Sequence, residues 1–93
     1  MAKYLMLGKY SIEAVKGISS GRTKKVIDMI KKCGGKVNLM YALVGRYDLA
    51  LLVDFPGNKE LIQASRAMTK LTGIGFIGFP AISVQEFDKL VAG

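Results

Sequence analysis

Two extended runs, Lys36 to Val44 and Tyr47 to Phe55, lie back to back with only Gly45-Arg46 between them. Both are rich in Val, Leu and Tyr, which suit a pleated surface, and a two-residue link with Gly in its first central position reverses a chain tightly. The pair therefore predicts an antiparallel hairpin. Pairing across that link sets Val44 opposite Tyr47 and Leu43 opposite Asp48, and a four-residue turn keeps the same faces. One face then carries Met40, Ala42, Val44, Tyr47, Leu49, Leu51, Val53 and Phe55. The other carries Val37, Leu39, Tyr41, Leu43, Asp48, Ala50, Leu52 and Asp54.

The elements around the hairpin follow from changes of period. Lys3 to Tyr10 is short, apolar and aromatic, and reads as a first strand; Ser11 to Ile18 reads as a turn or short helical piece. From Gly21 to Cys33 the spacing becomes helical, with Val26, Ile27, Met29, Ile30 and Cys33 on one side. Lys24, Lys25, Asp28, Lys31 and Lys32 lie opposite, and Gly34-Gly35 ends the helix. After Pro56-Gly57, Asn58 is the expected N-cap of a second helix anchored by Leu61, Ala64, Met68 and Leu71. Ile74 to Ile82 reads as a fourth strand, placed at a sheet edge by Pro80. Ser83 and Glu86 form a capping-box pattern ahead of a short terminal helix with Phe87, Leu90 and Val91 as its anchors.

The order is β-α-β-β-α-β plus a short helix, which predicts an α+β, ferredoxin-like βαββαβ fold with a four-stranded antiparallel sheet. A chain of 93 residues is sized for one domain, 1–93. In this fold both helices cover one face of the sheet. The Met40-to-Phe55 set belongs under them. The other set is still mainly apolar, whereas a solvated sheet face alternates hydrophobic with polar.

Something other than water is therefore expected on the second face, and a second copy of the sheet is the simplest cover. Composition points the same way: 51% of residues are hydrophobic, and mean hydropathy is +0.29, more apolar material than a small monomer hides. The expected partner is the chain itself, as a homodimer or higher homo-oligomer. The expected interface residues are Val37, Leu39, Tyr41, Leu43, Ala50 and Leu52.

Several function classes are excluded or disfavoured. There is no histidine, which removes His-based triads, histidine-ligated haem and the usual zinc sites, so neither metal nor cofactor is expected. The one cysteine, Cys33, cannot form an internal disulfide and reads as a small buried hydrophobe. No apolar run spans a bilayer, and Met1-Ala2-Lys3 leads into a strand pattern rather than a signal peptide; a soluble, cytoplasmic protein without membrane contact is expected. Net charge is +7, with Lys24, Lys25, Lys31, Lys32 and Lys36 able to form an anion-binding patch but equally a solvated helix face. Thr72-Gly-Ile-Gly-Phe-Ile-Gly-Phe79 resembles the aromatic signature of RNA-recognition domains, yet it lies on the fourth strand instead of the third. Nucleic acid is accordingly a lesser expectation.

Gly45-Arg46-Tyr47-Asp48, with an apolar strand after it and Gly34-Gly35-Lys36-Val37 before the preceding strand, resembles the GYD-domain family, small proteins named for that Gly, Tyr and Asp. The resemblance extends from Tyr4 to Glu86-Phe87. It implies the dimeric α/β-barrel superfamily, in which two ferredoxin-like protomers pack sheet against sheet, and it implies no defined reaction.

Asp48 admits two readings. Near a turn and beside Arg46, its carboxylate can accept backbone N–H bonds; at the mouth of a cavity between sheets, it can contact a ligand or act as a base. Tyr41 shares its face and Arg46 adjoins it, so Asp48, Tyr41 and Arg46 are the candidate ligand contacts. The leading functional expectation is a non-catalytic homo-oligomeric module holding a small apolar or amphipathic ligand between protomers. The alternative is a cofactor-independent oxygenase or isomerase of a small aromatic or lactone, with Asp48 and Tyr41 as the acid/base pair.

Overall fold

The computed structural model describes residues 1–92; Gly93 lies outside the described residues. The chain is α+β, and its elements run β1 (Ala2–Tyr10), α1 (Ile12–Lys16), α2 (Ser20–Lys32), β2 (Lys36–Ala42), β3 (Leu49–Phe55), α3 (Asn58–Thr72), β4 (Ile74–Ala81) and α4 (Val84–Ala92). The four strands form one antiparallel sheet in the order β2-β3-β1-β4, compatible with the expected ferredoxin-like arrangement. Pro80 does sit on an edge strand, the place in a sheet where proline is tolerated.

Local chemistry sets the helix ends. Ser11, Ser19 and Ser83 each accept a backbone N–H from the residue three positions on, at 3.0, 3.0 and 3.1 Å, and so start α1, α2 and α4. Gly73 ends α3 in the left-handed conformation, φ 77°, with its N–H on the Thr69 carbonyl. Asn58 is not the cap of α3. Gly57 holds that position, and the Asn58 side-chain oxygen Oδ1 instead accepts the Tyr4 hydroxyl at 2.6 Å.

The core lies between the sheet and one helix layer. Tyr4, Met6, Leu51, Val53, Phe55 and Ile74 face it from the strands, Val26 and Ile30 from α2, and Ala64 and Met68 from α3. Leu71, expected among the α3 anchors, is exposed, and Thr72 takes the inward place. The Thr72 hydroxyl makes burial tolerable by donating to the Met68 carbonyl at 2.7 Å and accepting from the Ile74 N–H at 3.1 Å.

Two hairpin assignments change. The β2–β3 register slips at Asn38, which has no partner on β3. This bulge turns the Asn38 amide toward Asp54 and reverses the alternation below it, so Val37 pairs with buried Val53 and packs on the core. Val37 is therefore not on the second face. The ladder also closes at Leu43 and Asp48, leaving Val44 to Tyr47 as a four-residue connection. Val44, expected under the helices, is fully exposed there. Gly45 in this connection has φ 142°, a conformation that L side chains rarely adopt.

The C-terminal helix gives a further correction. Among the described residues Phe87, Leu90 and Val91 anchor no core: α4 has no buried residue and no substantial packing against another element there.

Candidate functional site

The face of the sheet away from α2 and α3 is organised as rows across the strands. In a period-2 ladder, residues paired across successive strands share a face, so register alone fixes which side chains stand together. Leu39 pairs with Leu52, Leu52 with Leu5, and Leu5 with Phe79. The neighbouring row runs Tyr41, Ala50, Leu7, Ile77. Two complete rows are thus apolar or aromatic across all four strands. Leu5, Leu39, Tyr41, Leu43, Ile77 and Phe79 on this face are 37 to 61% exposed.

Charged rows bound this apolar band along the strands. At one end Lys36 and Lys3 flank Asp54, whose carboxylate takes the Lys3 ammonium at 3.0 Å and the Asn38 amide at 3.1 Å. Those two donors hold the Asp54 carboxyl below the usual carboxylate range. At the other end Asp48 and Lys9 stand 3.8 Å apart.

Asp48 joins three strands by itself. Its carbonyl accepts the Leu43 N–H at 2.8 Å, and its own N–H donates to the Gly8 carbonyl at 2.9 Å. Its carboxylate accepts the Tyr10 N–H at 2.8 Å. The last bond lets a side chain continue the β1–β3 ladder by one rung beyond the backbone pairing. Tyr41 lies on the same face, one row inward of Asp48, and Arg46 is exposed at the hairpin tip; no hydrogen bond joins the three.

The sequence-level interface set missed β1 and β4. Leu5 and Leu7 could have been found from the alternation Tyr4, Met6, Gly8 on the buried side, and Ile77 and Phe79 from the same pattern beyond Gly75. The superficial RNA signature is split by this pleat: Phe76 packs against the core and Phe79 faces outward.

Two clefts lie elsewhere. One of about 390 Å³ is lined by Glu13, Ser19, Gly21, Arg22, Lys25 and Thr72. Its Arg22 guanidinium is already engaged, bonded to the Ala14 carbonyl and stacked 5.0 Å over the Tyr10 ring. The second, about 270 Å³, is lined by Met1, Lys3, Tyr4, Pro80, Ile82 and Glu86 at the root of α4. Among the described residues no three His, Cys, Asp or Glu side chains converge as metal ligands, and no helix is long and apolar enough to cross a membrane.

The family model for the GYD domain matches residues 4–91, and the chain belongs to that family. No curated protein matches the sequence.

Proposed function

We propose that this member of the GYD-domain family is a non-catalytic homo-oligomeric module of the dimeric α/β-barrel type. In this reading two protomers pack open sheet against open sheet and hold a small apolar or amphipathic ligand between them. The observation that carries it is the pair of apolar rows, Leu39-Leu52-Leu5-Phe79 and Tyr41-Ala50-Leu7-Ile77, crossing all four strands of an uncovered sheet. Covering a Leu- or Phe-sized side chain is worth about 1.5 to 3 kcal/mol, and a two-fold interface gains it twice.

Leu39, Tyr41, Leu43, Ala50 and Leu52 form the half of the interface contributed by the hairpin. The Tyr41 hydroxyl is the one polar side-chain group in the two apolar rows, so a ligand with one polar end would orient on it, with Asp48 and Arg46 at the rim. Support for Asp48 as a catalytic base is weaker, because its carboxylate is committed to the Tyr10 N–H. Support for RNA is also weaker: the outward positions of β3 are Ala50, Leu52 and Asp54, which offer no ring for a base to stack on.

Native mass spectrometry of freshly purified protein tests the reading. A species of two or more chains, with or without a retained small molecule, is expected. A monomer at micromolar concentration overturns the proposal.

A further inference from the structure

Two exposed apolar clusters lie at opposite ends of the sheet. α4 presents Val84, Phe87, Leu90 and Val91, which are 54 to 75% exposed. α1 presents Ile12 and Val15 on the side away from buried Ala14, with Ile18 just beyond its end; all three are exposed. The β1–β4 pairing sets their separation. α1 follows Tyr10, which pairs with Ile74, whereas α4 follows Ala81, which pairs with Lys3. Seven steps of extended chain from Lys3 to Tyr10 put about 23 Å between the two ends. α4 is only about 14 Å long and joined by two residues, so one chain cannot bring its clusters together.

The shape of the chain agrees with an arm held off the body. Its longest extent is 49 Å, against about 30 Å for the nine-residue β1. Its radius of gyration is 14.0 Å, where a compact chain of this length has about 12.3 Å.

We infer that α4 is an arm exchanged between two copies of this chain, its Phe87 stripe docking on the Ile12–Val15–Ile18 cluster of the second copy. The inference rests on the sheet-to-sheet dimer proposed above. In such a dimer, protomers running antiparallel along the strand direction bring the α4 end of one beside the α1 end of the other. The two-fold axis then makes the contact twice.

Two further observations support it. The apolar band is two rows tall and bounded by charged rows at both ends, so two docked arms add apolar area that the sheet face itself does not offer. Charge is also complementary. α4 carries Glu86 and Asp88 against Lys89, while the α1 end carries Lys16, Arg22 and Lys25 against Glu13.

Cysteine pairing tests the arm directly. Val15→Cys and Phe87→Cys are made as separate proteins, each with Cys33→Ser, then mixed and oxidised. A covalent dimer from the mixture, absent from either protein alone, is expected. Phe87→Asp is expected to raise the dimer dissociation constant roughly 100-fold with unchanged far-UV circular dichroism, since α4 supports no core. A covalent dimer from Phe87→Cys alone overturns the pairing, as does a sedimenting dimer that gives no cross-link or that Phe87→Asp leaves equally tight. A wild-type monomer would instead overturn the sheet-to-sheet reading beneath it.

Discussion

The Asp48 carboxylate accepts the backbone N–H of Tyr10 at 2.8 Å, joining the end of the hairpin to the end of the first strand across 38 positions of sequence. The Asp of the Gly45-Arg46-Tyr47-Asp48 motif is therefore a rung of the sheet. Replacing it with Ala leaves a part-buried N–H without its acceptor, and a loss of roughly 1 to 2 kcal/mol of folding stability is expected. Asp48→Asn retains a carbonyl oxygen and is expected to lose less. Lys9→Met should change stability by under about 0.5 kcal/mol, because its 3.8 Å pair with Asp48 is solvent-exposed. Urea midpoints of the three variants provide the comparison.

Gly35 has a different reason to be glycine. A Cβ there would stand 2.6 Å from the Phe55 ring and 2.8 Å from the Asp54 carbonyl oxygen. Phe55 is fully buried and cannot yield without repacking. Gly35→Ala is expected to cost about 1 to 3 kcal/mol, visible as a lowered denaturation midpoint. An unchanged midpoint would show that the β2 entrance moves freely.

Asp54 links stability to pH. Its carboxyl is lowered from 3.8 by hydrogen bonds from Lys3 and Asn38. The folded state thus favours the ionised form more than the unfolded chain does. That stabilisation is complete above the unfolded value and disappears as pH falls through the lower, folded one. Asp54→Asn should therefore be less stable than wild type at neutral pH, and the two should converge as pH falls through the lowered, folded-state value. A difference between the two that stays constant across that range would contradict the assignment.

The parts of the fold written in local pattern were legible from the sequence. Helical spacing placed Val26 and Ile30 inward, and the two apolar runs gave the hairpin with Leu43 opposite Asp48, but not its four-residue connection, since Val44 and Tyr47 were expected to close the ladder. What escaped depended on partners distant along the chain. Asn38 reads as one more residue of an alternating strand, and only its pairing with β3 exposes the bulge that sends Val37 into the core. Asn58 looks like a cap until the Tyr4 hydroxyl reaches it from a strand 54 positions away. Phe87, Leu90 and Val91 have the spacing of core anchors, but spacing does not say whose core. On the candidate site, Leu39, Tyr41, Ala50 and Leu52 were legible, while Leu5, Leu7, Ile77 and Phe79 needed the strand order β2-β3-β1-β4 to become their neighbours.

The central claim is that the open sheet face is covered by a second copy, and Leu52 is its most direct probe. It lies between Leu39 and Leu5 in one apolar row. A lysine there can reach solvent in the monomer yet places two ammonium groups inside the assembled interface. Sedimentation equilibrium of wild type and Leu52→Lys at micromolar concentration should find an oligomer for the first. For the second it should find a folded monomer, with association weakened by about two orders of magnitude or more. A wild-type monomer, or a Leu52→Lys protein that associates as tightly as wild type, would contradict the account.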